Sequence, residues 1–536
     1  MNKKRFVQTA SVIAAVGLIV SCGTGEKKQA ANKVQFDITT TDSYPLNTDA
    51  ELTWWLSLPD TVAGYAGSMN EIPLKQNLEE ATGVKINFIH PPTGQNVEKF
   101  NLMIASREFP DMITYNWLTY PGGAQKAIDE DIIIPLNDYM DKVSPNFTKT
   151  LNENPDIAKQ ASTDNGTYFS YPFMLSDDKQ ATYQGFIIRK DLIEKAGLEE
   201  PHTLEQWDKV LRKFKEMGVK TPLAINMTQS SYKAVSPFTG CFGFCANFYV
   251  EDGKVKYGPV EPAFTDYVKQ LNTWYNDGIL DNEFSNFDSK RQTAMVINGE
   301  IGATYCKAGG DLGKWLPAIK QSNSDIKYEP IEYMTAKEGE RPMVGQKNQR
   351  IVDSCVAITT QCKNPEIAMR FLDYGYSDEG HMLYNFGQEG ISYNMVDGNP
   401  VYTPEIMDSQ KNGGLSVGQA MSKYLCACYN GPFVQDIRYN EQYMQSPEQK
   451  QALNLWSDTD MLKYALPFLP MTEDENKKYN KIMQDVQNYE MEMLHKFISG
   501  KADLSGIDEY YSTMKSLGID EAISIKQAAY DRYLKK

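Results

Sequence analysis

The stretch SREFPDMITYNW, residues 106–117, ends on two large aromatics around an amide: Tyr115, Asn116 and Trp117. Ring faces, with an amide that both donates and accepts, suit a ligand with apolar faces and polar edges. Pro110 interrupts the stretch, and Asp111 to Thr114 then read as a short strand. In open α/β sheets ligands bind beyond the carboxyl ends of strands, so the three residues stand where a ligand would sit. Neighbours at a strand tip cannot all point the same way. At least one is therefore core, and Trp117, with the largest ring face, is the expected stacking residue.

Catalytic constellations are weaker. Gly414-Leu415-Ser416-Val417-Gly418 fits the nucleophile-elbow pattern, with His495 downstream. An elbow needs a buried strand before its serine, and the polar, turn-like MDSQKN precedes this one. A glycosidase needs two placed carboxylates. Among 70 Asp and Glu residues, no pair sits in a recognisable frame. Seven cysteines follow Cys22, and C-x3-C and C-x-C each occur once without a histidine nearby. His90, His202, His381 and His495 are scattered, so no zinc site is expected. An odd count leaves at least one thiol free, and most of these cysteines read as small buried hydrophobes. STDNGTYF offers only Asp164 and Asn165 before Gly166, too few ligands for a calcium loop. No metal and no cofactor are expected.

A chain of 536 residues is long enough for two or three packed cores. Hydrophobic residues make up 41% and aromatics 11%, which marks a globular chain. The formal net charge is −16, and no basic cluster follows the first residues, which argues against nucleic-acid binding. At the N-terminus, Lys3, Lys4 and Arg5 precede an apolar stretch from Phe6 to Val20. It is short for a membrane span and suited to a signal-peptide core. It ends in LIVSCGTGEKK, which resembles a bacterial lipobox. That motif implies a diacylglyceryl group on Cys22, which becomes the mature N-terminus, and a polar tether follows.

The elements that position the candidates alternate. ELTWWLSLPD reads as a strand closed by a turn. Leu74, Leu78 and Ala81 keep helical spacing, Gly83 stops that helix, and VKINFI alternates like a strand. Val97, Phe100 and Ile104 mark the next helix before FPDMITYNW. Strand, helix, strand, helix, strand implies a largely parallel sheet. The pattern restarts near residue 186. Thr203 with Gln206 forms a capping box; Trp207, Val210, Leu211 and Phe214 share a helical face, so Trp207 reads as core, as does Trp274 on a later helix. Leu223 to Asn226 and CVAITT, from Cys355, read as strands. A long helix opens at Thr472 with Glu475 and ends at Gly500.

These segments resemble the extracellular solute-binding proteins of ABC importers, family 1, above all the long Gram-positive lipoproteins of oligosaccharide uptake. NLMIASREFPDMI, FIIRKDLIEKAGLEEPHTLEQW, LNTWYNDGILDNEF, AMVINGEIGATY, VAITTQCKNPEIAMRFLDYGYSDEG, NFGQEGISYN and AAYDRYLKK carry the resemblance, in the expected order. It implies an α/β, two-lobed periplasmic-binding-protein-like fold of type II, with discontinuous lobes joined by a hinge. The expected division is a signal peptide at 1–21 and a lipidated tether at 22–47. The first lobe would combine 48–183 with 352–400, and the second 186–350 with 403–536.

The resemblance also implies a function: capture of a carbohydrate, an oligosaccharide, between the lobes, without catalysis, and delivery to ABC permease subunits. The protein would be a monomer on the outer face of the membrane, held by its lipid. A peptide or acidic sugar is the alternative cargo, and a secreted glycoside hydrolase the alternative class. Sugars offer apolar faces to rings and hydroxyls to polar side chains. Carried over residue by residue, the site comprises Tyr115, Asn116 and Trp117, one of Trp54 and Trp55 with Trp55 chosen, and Asp60 in the turn that follows. Tyr183 and Gln184 come from the crossover, and Asn226 and Tyr305 from the second lobe. Glu389, with Tyr393 beside it, belongs to a loop that could touch ligand or pack the lobe. Where many relatives have Trp after an Asn-Gly pair, this chain has Glu300 and Ile301.

Overall fold

A computed structural model describes residues 43–322, 325–426 and 430–536. The expected signal peptide, Cys22 and all but the last residues of the tether lie outside the described residues, as does Cys428.

Two sheets form two lobes. In the first, Glu51–Trp55 runs parallel to Lys85–Ile89 on one side and Met112–Tyr115 on the other. Ile351–Ile358 follows, antiparallel to both Met112–Tyr115 and Tyr171–Leu175. Val434–Gln435 completes the edge, parallel to Tyr171–Leu175. The second sheet runs Tyr328–Ile331, Gln184–Arg189, Ile301–Lys307, Thr221–Ala224. Gln184–Arg189 is antiparallel to both its neighbours, while Thr221–Ala224 is parallel to Ile301–Lys307.

The first sheet is therefore largely parallel, five of its six strands pointing the same way, with Ile351–Ile358 as the antiparallel strand. Tyr171–Leu175 leaves for the second lobe and Ile351–Ile358 returns from it, so the two enter their sheet from opposite ends.

Local signals act as read. Thr203 accepts from the Gln206 amide, and Gln206 caps back; Thr472 and Glu475 do the same ahead of Glu473–Ile498. Trp207 and Trp274 are both fully buried in the second lobe's core. Gly83 ends the helix Pro73–Thr82 at φ 75°. A Cβ there would also meet the Leu46 carbonyl oxygen at 2.1 Å, so a residue without one is needed.

That contact corrects the tether. Leu46 donates its amide to the Thr82 carbonyl at 2.8 Å, and the Tyr44 hydroxyl donates to the Arg370 carbonyl at 2.5 Å. The Arg370 guanidinium lies over the Tyr44 ring. Residues 44–46 are thus docked on the first lobe, because an aromatic and a leucine bury apolar area there.

The lobe boundaries differ as well. Residues 403–443 were expected in the second lobe, yet Val434–Gln435 joins the first sheet. Ile406, Met421 and Tyr439 form one cluster with Phe386 and Tyr402. The chain crosses back only before Pro447–Ser457. On that helix the Trp456 indole donates to the Phe186 and Ile331 carbonyls. Its ring lies where a Cβ on Gly185 would fall, 2.2 Å away, so Gly185 is what lets this helix seat on the second sheet.

Candidate functional site

Strand directions place the candidates. Met112–Tyr115 and Tyr171–Leu175 both oppose Ile351–Ile358, so they point the same way. Leu175 leads into the crossing, and Trp55 and Tyr115 therefore end on the side of the crossings. In the second sheet Gln184–Arg189 starts at the crossing, and Ile301–Lys307 opposes it while Thr221–Ala224 runs with Ile301–Lys307. Tyr305 and Asn226 thus also stand at the crossing side. The carboxyl ends of both lobes face the hinge, the arrangement that puts a ligand site between them.

At the first-lobe tip, Tyr115 is half-buried and stacks on Phe100, ring centroids 3.5 Å apart and planes within 3°. One of its faces is thereby covered. Asn116 caps the short turn Trp117–Thr119, its Oδ1 accepting the Leu118 amide at 3.2 Å.

Trp117, the expected stacking residue, is core. It is 0% exposed and packs edge-on to Phe100 and Tyr115, because the turn after the strand swings its ring under the sheet. Trp55 is likewise buried against Phe100, and Trp54 is buried on the opposite face, its indole donating to Thr114 Oγ1. Neither tryptophan of the pair presents a ring to solvent. Asp60 is exposed and opens the helix Asp60–Ala63. Glu389 is exposed in the turn before the hairpin Tyr393–Val396/Asn399–Tyr402, while Tyr393 packs into the lobe.

Tyr183, Gln184 and Tyr305 are brought together. The Tyr333 hydroxyl donates to the Gln184 carbonyl at 2.7 Å and accepts the Gln346 amide at 2.9 Å. Its proton is thus used, and the Tyr305 hydroxyl, 2.9 Å away, is the donor between the two. Burial raises the pKa of both phenols, so both stay neutral. Gln346 is the central tie. Its Oε1 accepts from the amides of Tyr183 and Gln184, and its Nε2 donates to the Ala181 carbonyl. Gln349 Nε2 donates to the Leu466 carbonyl, joining a third segment. Asn226 stands apart from this network, its Oδ1 accepting the Thr228 amide.

A cavity of ≈ 370 Å³ opens beside these segments, within the size range of small-molecule sites. Tyr183 lines it together with Asn247, Asn348, Gln349, Lys347 and Lys526. No local sequence signal marks the last five. Lys526 sits on the C-terminal helix Ile519–Lys535 and is half-buried by residues far away in the chain.

Ser416 is no elbow. It is the N-cap of Val417–Tyr424, with Gln419 capping back, and the helix Ser409–Gly413 precedes it where a strand is required. His495 Nε2 donates to the Met227 carbonyl, in the other lobe. Asp164 pairs with Arg532 and Lys536. Among the described residues no cluster of His, Cys, Asp or Glu could hold a metal ion. Of the six described cysteines, five are buried.

Residues 64–382 match the model of the bacterial extracellular solute-binding proteins, more than half of the chain. The chain belongs to this family. This solute-binding protein is 23% identical over 490 residues to the fructooligosaccharide ABC transporter substrate-binding protein FusA of Streptococcus pneumoniae, 87% of each chain. It is 19% identical over 408 residues to the polygalacturonan/rhamnogalacturonan-binding protein YtcQ of Bacillus subtilis, 73% of this chain and 74% of that one. Among solved structures, the alginate-binding protein AlgQ2 without calcium ion superposes with a TM-score of 0.72 at 22% identity, covering 91% of this solute-binding protein and 100% of AlgQ2. The two-lobed α/β fold is thus shared with that protein.

Proposed function

We propose that this solute-binding protein captures an oligosaccharide between its lobes and delivers it to the permease subunits of an ABC importer, with no turnover of its own. Support comes from the carboxyl ends of both sheets facing one hinge, at which Gln346 ties the crossing segments. The relatives FusA and YtcQ, named for glycans, support a carbohydrate as cargo. In this reading Tyr115 and Asn116 serve from the first lobe, Asn226 and Tyr305 from the second, and Tyr183 and Gln184 from the hinge. A monomer lipidated at Cys22 would hold the site at the outer face of the membrane. Among the described residues no helix is long and apolar enough to cross a membrane. A thermal-shift screen against a glycan panel tests the reading. A cognate glycan at a hundred times its dissociation constant adds about 2.7 kcal/mol of stability. A panel without a hit, beside a peptide that stabilises, would overturn it.

A further inference from the structure

The cavity beside the hinge has an unbalanced charge. Lys233, Lys347 and Lys526 line it, and no carboxylate does. Lys233 is already committed. Its ammonium donates to Glu490 Oε1 at 2.5 Å, the Ala246 carbonyl at 2.8 Å and the Tyr257 hydroxyl at 2.9 Å. Those are all three donors an ammonium has.

The other two differ. Among the described residues no carboxylate oxygen lies within 4.0 Å of the Lys347 or Lys526 nitrogen. Burial pushes the Lys526 ammonium down to about 8. Lys526 lies over the Tyr479 ring, 4.6 Å from its centroid. Burial also lowers Lys347, with Asp178 and Asp177 acting against it and Arg341 with it. The remaining titratable side chains on the wall are Tyr183, Tyr479, Cys245 and the paired Lys233. A desolvated ammonium without a counter-ion is unfavourable, and an incoming anion relieves it. Around the two cations stand neutral groups suited to hydroxyls, Asn247, Asn348 and Gln349, and the ring of Phe248.

We infer that this cavity receives the anionic substituent of an acidic oligosaccharide, a uronate carboxylate or a sulfate ester, with Lys526 and Lys347 as its cations. The inference rests on the carbohydrate reading above and names the class of sugar.

Calorimetry on the full mature chain tests it. The probes are di- to tetrasaccharides of uronates, each beside its carboxyl-reduced form, and sulfated oligosaccharides, each beside its desulfated form. One acidic member should bind at least about tenfold more tightly than its neutral twin, as charge-assisted hydrogen bonds imply. Which pair shows the difference separates carboxylate from sulfate. Lys526→Met, which keeps the stem over Tyr479, should remove about tenfold of that affinity and leave the unliganded melting temperature at or above the parent's. In the unaltered protein the acidic affinity should fall from pH 7 to pH 9, as Lys526 loses its proton, while neutral sugars show no such fall.

Neutral twins that bind as tightly as acidic ones would overturn the inference and leave carbohydrate capture standing. So would acidic affinity that survives both Lys526→Met and Lys347→Met. If neither acidic nor neutral glycans bind, the carbohydrate reading itself fails.

Discussion

Gln346 Oε1 accepts a hydrogen bond from the backbone amide of Tyr183 at 2.8 Å, so one buried side chain joins two of the crossing segments. The same oxygen takes the Gln184 amide. Gln346→Ala would leave two backbone N–H groups without their acceptor at the hinge. The expected loss is about 1–3 kcal/mol of unfolding free energy, measured by denaturant titration of the unliganded protein. Unchanged stability would show that the crossings are held by other contacts.

Trp117 separates core from site. Its burial against Phe100, Tyr115 and Tyr120 predicts that Trp117→Ala costs about 3–5 kcal/mol of stability. Ligand affinity, measured where the variant is still folded, should be close to the parent's. Lost affinity with intact stability would contradict the core assignment.

What the sequence disclosed and what it hid follow one physical division. Thr203 with Gln206 and Thr472 with Glu475 are capping partners three residues apart, so their chemistry is local and readable. Trp207 and Trp274 sit on helices whose period points them inward. The tip Tyr115-Asn116-Trp117 could be placed at a strand's end, but which ring turned inward depended on Phe100, a partner from another element. The antiparallel entry of Ile351–Ile358 and the two-residue strand Val434–Gln435 are decided by the return path of the chain, which no window of sequence contains. Lys526 is the extreme case. Its cavity wall comes from segments near residues 183, 240, 347 and 466, and nothing near it in sequence marks it as a cavity residue.

Asp373 gives the protein a pH signature. Burial pushes its carboxyl up to about 6, against hydrogen bonds from the Phe147 amide and the Asn146 side chain. The folded state thus holds this proton more tightly than the unfolded chain. Its contribution is fully present below about pH 4 and is lost as pH rises through about 6. Relative to Asp373→Asn, the parent should lose about 3 kcal/mol of stability between those values and track the variant above them. A difference that stays constant from pH 4 to 7 would remove the carboxyl from this role.

The proposed lipidation of Cys22 makes its own prediction. Cys22→Ala should release a folded protein into the medium, because under that proposal two acyl chains and not the fold would supply the anchor. The readout is fractionation of cells against culture supernatant. A variant that has lost its signal peptide and stays wholly with the membrane would end the lipoprotein reading.

The claim that a glycan sits between the lobes is tested most directly by small-angle scattering through a titration with the best glycan from the screen. Lobes that meet around a ligand at a hinge should draw together. The radius of gyration is predicted to fall in step with calorimetric saturation and to level off at one glycan per chain. Saturating binding with an unchanged radius of gyration would contradict it.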